Sequence, residues 1–250
     1  MRKLLIFMVA MMLLCSCGGV RHYTLEVVAE YPHDVTSYTQ GLFFRDGQLY
    51  ESTGQYGEST FRKVDLKTGE AIERINFDPK YFLEGSVMLN DKLYILTWRE
   101  STAFVYDADS LKYVQGWSYP REGWGITTDG QQLIASDGSS RLYFMDENFQ
   151  ELRHVTVRND GRMVRWLNEL EYIDGQVWAN VYTTDEIVMI NPEDGKVTGV
   201  IDCTGLLPRG LYTDRTDVLN GIAFDDKTGK IFLTGKYWPR MYEVRLVKVK

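Results

Sequence analysis

The chain has 250 residues, enough for one single-core domain once a leader is removed, and no Pro/Ser-rich linker or charge block divides it. Its 28 basic and 35 acidic residues give a net charge of −7, which loss of Arg2 and Lys3 takes to −9; that balance argues against nucleic acid and against a polybasic hold on anionic lipid. Six tryptophans, 16 tyrosines and 11 phenylalanines, with recurring Asp-Gly turns, make an all-β profile.

Residues 1–19 read as a leader rather than as part of the fold. Arg2 and Lys3 form a positive start, and Leu4 to Leu14 is an apolar run too short to span a bilayer as a helix. Leu14-Cys15-Ser16-Cys17 looks like a bacterial lipobox, in which the second cysteine, Cys17, is acylated and becomes the new N-terminus. An ordinary secretory signal cut nearby is the alternative, and both readings place the domain, residues 20–250, outside the cytoplasm. Cleavage before Cys17 leaves only Cys17 and Cys203, so with Cys17 acylated the fold cannot rest on intramolecular disulfides. Cys203, in the strand-like run from Val200, is expected to be a buried apolar filler.

Tyr23 to Tyr31 is a lone alternating strand. After it a unit repeats. Leu49, Leu93, Leu133, Val177 and Ile231 each follow a polar or glycine turn and open an apolar run, at spacings of 44, 40, 44 and 54 residues. A period of roughly 40–45 residues with four short strands is the mark of a β-propeller blade, so the expectation is a five-bladed β-propeller. The last spacing is long because Asp202 to Asp217 forms an inserted loop with room for a short helical turn. The chain ends in a second alternating run, Met241 to Val249, expected to share the terminal blade with Tyr23 to Tyr31 and close the ring. A β-sandwich would not explain why each repeat opens on its own polar motif.

Those motifs are Thr39-Gln40-Gly41-Leu42, Leu83-Glu84-Gly85-Ser86, Glu122-Gly123-Trp124-Gly125, Leu167-Asn168-Glu169-Leu170-Glu171 and Leu219-Asn220-Gly221-Ile222. Each begins the strand that would line the central channel, so amides and carboxylates converge on one end of a narrow axis. They either tie blades together through mutual and water-mediated bonds or form a site. The first use is most open for Gln40 and Asn220. It is less so for Glu84 and Asn168, because few basic residues stand near to neutralise a channel carboxylate. Just past the second strands lie Trp98, Tyr182 and Lys236, and with Trp124 they would make an aromatic cup holding one cation, the usual form of a small-ligand site. His22, His33 and His154 show no metal-ligand spacing, and neither a nucleophile elbow nor a phosphate loop is present.

From about Tyr31 to its end the chain resembles the plant and bacterial glutaminyl-peptide cyclotransferases of the five-bladed propeller type. The matching stretches run through every repeat in order: His33-Asp34, Tyr38 to Leu42, Glu51 to Gly54, Glu84-Gly85, Leu96 to Trp98, Gly123 to Gly125, Ser136 to Gly138, Leu167 to Glu171, Ala179-Asn180, Leu219 to Ala223, Thr234 to Lys236 and Trp238-Pro239. The resemblance implies conversion of N-terminal glutaminyl residues to pyroglutamyl with release of ammonia, with Gln40, Glu84, Trp98, Trp124, Asn168, Tyr182 and Lys236 in the pocket. Two positions depart: Tyr182 stands where plant members carry Trp, and Leu83 precedes Glu84 where Gly is expected. Glu84 is then the proton carrier, Lys236 and Asn168 the donors to the developing oxyanion, and Gln40, Trp98, Trp124 and Tyr182 the groups that bind and orient substrate. No metal and no cofactor are expected. The partners would be peptides or proteins with N-terminal Gln, the membrane would be met only through the Cys17 lipid, and the protein would act as a monomer. The rival readings are a non-catalytic surface propeller that binds a peptide or glycan at the same mouth, and a metal-dependent lactonase-type propeller.

Overall fold

The computed structural model describes residues 19–250, so all but the last residue of the expected leader, Cys17 included, lies outside the described residues. Within them the regular structure is β-sheet, apart from one 3-10 turn at Arg209–Leu211 inside the inserted loop. After β1 (Arg21–Pro32), the first unit runs β2 (Thr39–Arg45), β3 (Gln48–Thr53), β4 (Thr60–Val64) and β5 (Ala71–Asn76). The second is β6 (Leu83–Leu89), β7 (Lys92–Thr97), β8 (Thr102–Asp107) and β9 (Tyr113–Ser118). The third is β10 (Ile126–Thr128), β11 (Leu133–Ala135), β12 (Arg141–Met145) and β13 (Glu151–Thr156), trailed by a small hairpin of β14 (Arg158–Asn159) and β15 (Arg162–Met163). The fourth is β16 (Leu167–Ile173), β17 (Gln176–Val181), β18 (Glu186–Ile190) and β19 (Val197–Asp202). The chain closes with β20 (Leu219–Asp225), β21 (Lys230–Gly235) and β22 (Arg240–Lys248), and β1 is the outermost strand of this last unit.

Each apolar landmark of the repeat falls on the second strand of its unit: β3, β7, β11, β17 and β21. Local chemistry sets the hairpins. Asp46-Gly47 and Asp174-Gly175 take positive φ at both positions, the geometry a two-residue turn needs to match strand twist. The first strands are buried on both faces, as in β6, while the last strands β5 and β9 are mostly exposed; β19, which pairs with β1, is mostly buried. This gradient follows from position. β2, β6, β10, β16 and β20 each touch the next around a closed circle, and the sheets fan outward from there.

The core is not one mass but a set of apolar layers, one in each gap between neighbouring units. Phe43 and Phe61 meet Leu93 and Phe104 between the first two. Leu96 and Val105 meet Leu133 and Met145 in the next gap, and Phe144 meets Val177 and Ile190 in the third. Trp178 and Ile187 meet Leu233 and Tyr242 in the fourth, and Leu42 and Leu49 meet Phe232 and Met241 in the last. Cys203 is buried in the fourth layer, with Leu206 and Leu207 of the inserted loop.

Ring closure is as expected: β1 pairs antiparallel with β22 from Tyr23 opposite Lys248 to Pro32 opposite Arg240. The structure adds a second bond. Arg21 to Tyr23 also pair parallel with Gly199 to Ile201 of β19, which fuses the fourth and last units into one eight-stranded sheet.

Candidate active site

A regular strand points alternate side chains to its two faces and none down the axis. In four of the first strands a β-bulge breaks that rule at the polar motif. The pairing register shifts between Thr39 and Gly41, Leu83 and Ser86, Leu167 and Leu170, and Leu219 and Ile222. Each shift puts one extra residue on the first strand, and Gln40, Glu84, Asn168 and Asn220 sit within them. A bulge bends its strand and re-aims the side chain it carries. The motif glycines let the strands come close enough for this: a Cβ at Gly85 would lie 2.6 Å from the Ile126 nitrogen, and one at Gly125 would overlap the Asn168 carbonyl oxygen.

The bulged ends surround a cavity of about 480 Å³ at one mouth of the channel. Gln40, Glu84, Trp98, Trp124, Asn168, Tyr182 and Lys236, all seven residues singled out from the sequence, line it. So do Tyr38, Gln55, Phe82, Arg99 and Trp166, which the sequence reading did not assign to it, and Glu122, which it left without a role. A signal for three of these was present. Tyr38, Phe82 and Trp166 each stand two residues before Gln40, Glu84 and Asn168, and their carbonyls take the last rung of the hairpin from Gly54, Trp98 and Tyr182. The expectation of a single cation needs correction. Arg99 also lines the cavity, but its side chain is 60 % exposed and paired to Glu122, so Lys236 is the buried cation.

Glu84 is 4 % exposed and Lys236 2 %. The Gln40 side-chain amide donates to Glu84 Oε1 at 3.0 Å. Burial pushes the Glu84 carboxyl well above the usual carboxylate range; Lys236 opposes the shift, and Glu122 and Glu100 add to it. Burial also lowers the Lys236 ammonium to about 8, against the pull of Glu84 and Asp217. Its Nζ lies 4.3 Å from the centre of the Tyr38 ring and 5.1 Å from that of Tyr182, so two π faces stand in for lost hydration. Tyr182 meets Trp124 edge-on at 5.5 Å, and Phe82 packs against Trp98 at 5.4 Å. The Asn168 side-chain oxygen is buried and has no hydrogen-bond partner among the described residues. Leu83, the departure beside Glu84, is buried in the first inter-unit layer and leaves Glu84 in the cavity.

Other polar residues of the motifs serve the frame. Asn220 donates to the Thr39 carbonyl at 2.8 Å and to Gln40 Oε1 at 3.3 Å, tying the last unit to the first. Glu169 accepts from the Leu42 and Ile222 backbone at 3.3 and 2.8 Å, and Glu171 accepts from the Phe224 backbone at 2.9 Å. Beneath the rim, Glu51 accepts from Thr39 at 2.7 Å and pairs with His33 at 3.0 Å, which braces the turn that delivers Tyr38 and Gln40.

The chain matches the glutamine cyclotransferase family model over residues 4–246. It is 45% identical over 229 residues to a glutaminyl-peptide cyclotransferase of Arabidopsis thaliana, covering 89% of this chain and 71% of that one. The crystal structure of Myxococcus xanthus glutaminyl cyclase superposes with a TM-score of 0.85 at 34% identity, covering 92% of this chain and all of that one. Sequence, propeller fold and family model coincide along nearly the whole described chain, and the protein belongs to the glutamine cyclotransferase family.

Proposed function

We propose that the chain converts the N-terminal glutaminyl residue of a peptide or protein to pyroglutamyl and releases ammonia. Chemically this is an intramolecular acyl transfer. The substrate's α-amine attacks its own γ-carbonyl carbon, a new C–N bond closes the ring, and the bond to the side-chain nitrogen breaks. The observation that carries the reading is a buried carboxyl and a buried ammonium, Glu84 and Lys236, in one aromatic cavity.

The substrate brings its own nucleophile, so the protein's work is to fold the side chain and manage charge. Trp98, Trp124 and Tyr182 hold the aliphatic stem and exclude water. The amine sheds one proton as its bond forms, and the leaving nitrogen must gain one to depart as ammonia. Glu84 carries that proton between them and ends in the state in which it began. A carboxyl raised by burial suits this task, because the shift narrows its gap to the substrate amine and makes proton exchange between them less costly. Lys236, lowered to about 8, still carries its charge at neutral pH and stabilises the negative charge that builds on the γ-oxygen. Asn168 adds an amide N–H there, and its unpartnered oxygen is left to accept an N–H of the substrate. Gln40 orients the Glu84 carboxyl and, through it, the amine.

Mass spectrometry of a Gln-initiated peptide after incubation with the purified protein tests the reading. The product should be lighter by one ammonia. A peptide that binds and stays unaltered would make this a non-catalytic propeller. We also propose that acyl chains on Cys17 hold the mature, monomeric chain to a membrane outside the cytoplasm. Cys17→Ser should then move the protein to the soluble fraction, and its retention in membranes after a high-salt wash would count against the anchor.

A further inference from the structure

Two indole walls of the cavity share one hydrogen-bond acceptor. Glu122 lies two residues before Trp124 in the segment leading into β10. Its Oε2 accepts the indole N–H of Trp98 at 3.0 Å and that of Trp124 at 3.2 Å. Its Oε1 accepts from Arg99 Nε at 3.2 Å, and the Arg99 guanidinium lies 3.8 Å from the centre of the Trp98 ring. The backbone is fastened at the same point. The Gly123 N–H donates to the carbonyls of Thr97 and Trp98, both at 3.1 Å, and a Cβ at Gly123 would stand 2.5 Å from the Thr97 oxygen. Trp98 belongs to the second unit and Trp124 to the third, so this carboxylate spans the gap between them on the polar side of an apolar layer.

We propose that Glu122 is a positioning residue for the cyclisation site, a clamp that holds Trp98 and Trp124 as one pre-ordered wall. The inference rests on the function proposed above. An indole has an apolar body and one N–H that needs a partner when buried. Giving both N–H groups the same oxygen fixes the rings relative to each other. Without it each ring regains rotamer freedom, and substrate binding must bear the cost of ordering it. Arg99 keeps the carboxylate, whose side chain is 42 % exposed, from turning out to water. The clamp has an electrostatic consequence as well. After burial, the charges acting on Glu84 are Lys236, which lowers its carboxyl, and Glu122 and Glu100, which raise it; Gln40 is its neutral partner. Glu122 thus sits where it both spaces the walls and helps keep the proton carrier in its working range.

The test separates the two effects. Glu122→Gln removes the charge and one of the two acceptors. With the amide oxygen on the indoles its NH2 meets the Arg99 Nε–H donor, and with the oxygen on Arg99 its NH2 meets both indole N–H groups, so the clamp loses either its tether or its grip. KM for a Gln-initiated peptide should rise roughly tenfold, the scale of ordering a freed side chain or two, with a smaller change in kcat. The acid limb of the kcat/KM profile should move to lower pH, because loss of a nearby negative charge lowers the Glu84 carboxyl. In a ¹⁵N spectrum the side-chain N–H signals of Trp98 and Trp124 should both shift. Glu122→Asp keeps the charge but is one methylene too short to reach both indoles. It should raise KM and leave the acid limb in place. A Gln variant with unchanged KM, acid limb and indole signals overturns the proposal. So does a loss of activity that only follows a fall in Tm while both indole signals stay put. Should the wild-type protein fail to cyclise the peptide, the functional reading falls, and the indole signals of the two variants still decide whether the clamp exists.

Discussion

Glu84 and Lys236 are each unfavourable as charges where they stand, and the sign of each shift makes a prediction. The folded-state Glu84 carboxyl is raised by burial, so its ionisation costs stability once the pH exceeds the ordinary carboxylate range. Glu84→Gln removes that cost together with the proton. Tm at neutral pH should be unchanged or higher, while turnover should fall by roughly 10²- to 10⁴-fold, the span of general acid–base work. A fully active variant would move suspicion to Glu169. Lys236 is lowered to about 8, so its charged form destabilises the fold below that pH, and its charge is lost above it. Turnover should therefore decline as pH rises past about 8. Lys236→Met keeps length and packing, and kcat should fall roughly 10²-fold, as when an oxyanion donor is removed. If only KM changes, Lys236 binds substrate and does not stabilise the transition state.

At the scale of the strand, the bulge is the device that turns a structural repeat into a site. The bulge that carries Asn168 has a further task. Glu169 and Glu171 stand on alternate positions of β16 and accept backbone N–H groups from β2 and β20, so they tie the fourth unit to the first and the last. Glu169→Gln leaves one oxygen for the two donors of Leu42 and Ile222. It should lose about 1–3 kcal/mol of stability, the cost of an unmet buried donor, yet keep its activity per folded molecule. Glu171 is raised to about 8 by burial, against the Phe224 and Thr127 hydrogen bonds. Its contribution to stability is fully present below the ordinary carboxylate range and is lost as pH climbs towards 8. Calorimetric Tm of Glu171→Gln should be flatter across that window than that of the wild type, and an identical slope would exclude the assignment.

In the whole molecule every unit owns part of the site. Gln40 comes from the first, Glu84 and Trp98 from the second, Trp124 from the third, Asn168 and Tyr182 from the fourth and Lys236 from the last. The cavity exists only when the ring is closed, and β1 is the fastener. It satisfies the edge of β22, reaches β19 as well, and packs Tyr31 on Phe232 at 5.7 Å. Deleting residues 19–32 bares two strand edges and removes the closing pair, so the truncated chain should aggregate or run as an expanded species in size-exclusion chromatography. A compact, active truncated protein would show that the ring closes without it.

What the sequence determined by itself was whatever local chemistry encodes. The Asp-Gly turns, the alternation within strands and the 40–44-residue spacing of Leu49, Leu93, Leu133 and Val177 each act within one unit, so the units and their polar openings were legible. The recurring openings and ends of the second strands marked candidates, and the resemblance to the cyclotransferases picked out among them the seven residues that line the pocket. What only the tertiary structure decided depends on partners distant in the chain. Neither the register shifts at Gln40, Glu84 and Asn168 nor the parallel bond of β1 to β19 is written in either strand alone, because register is a property of a pair. The clamp of Glu122 on Trp98 and Trp124 crosses from one unit to the next. The direction of the Glu84 shift was open as well. Burial and Lys236 oppose each other there, and desolvation wins only because the closed ring takes water away from both.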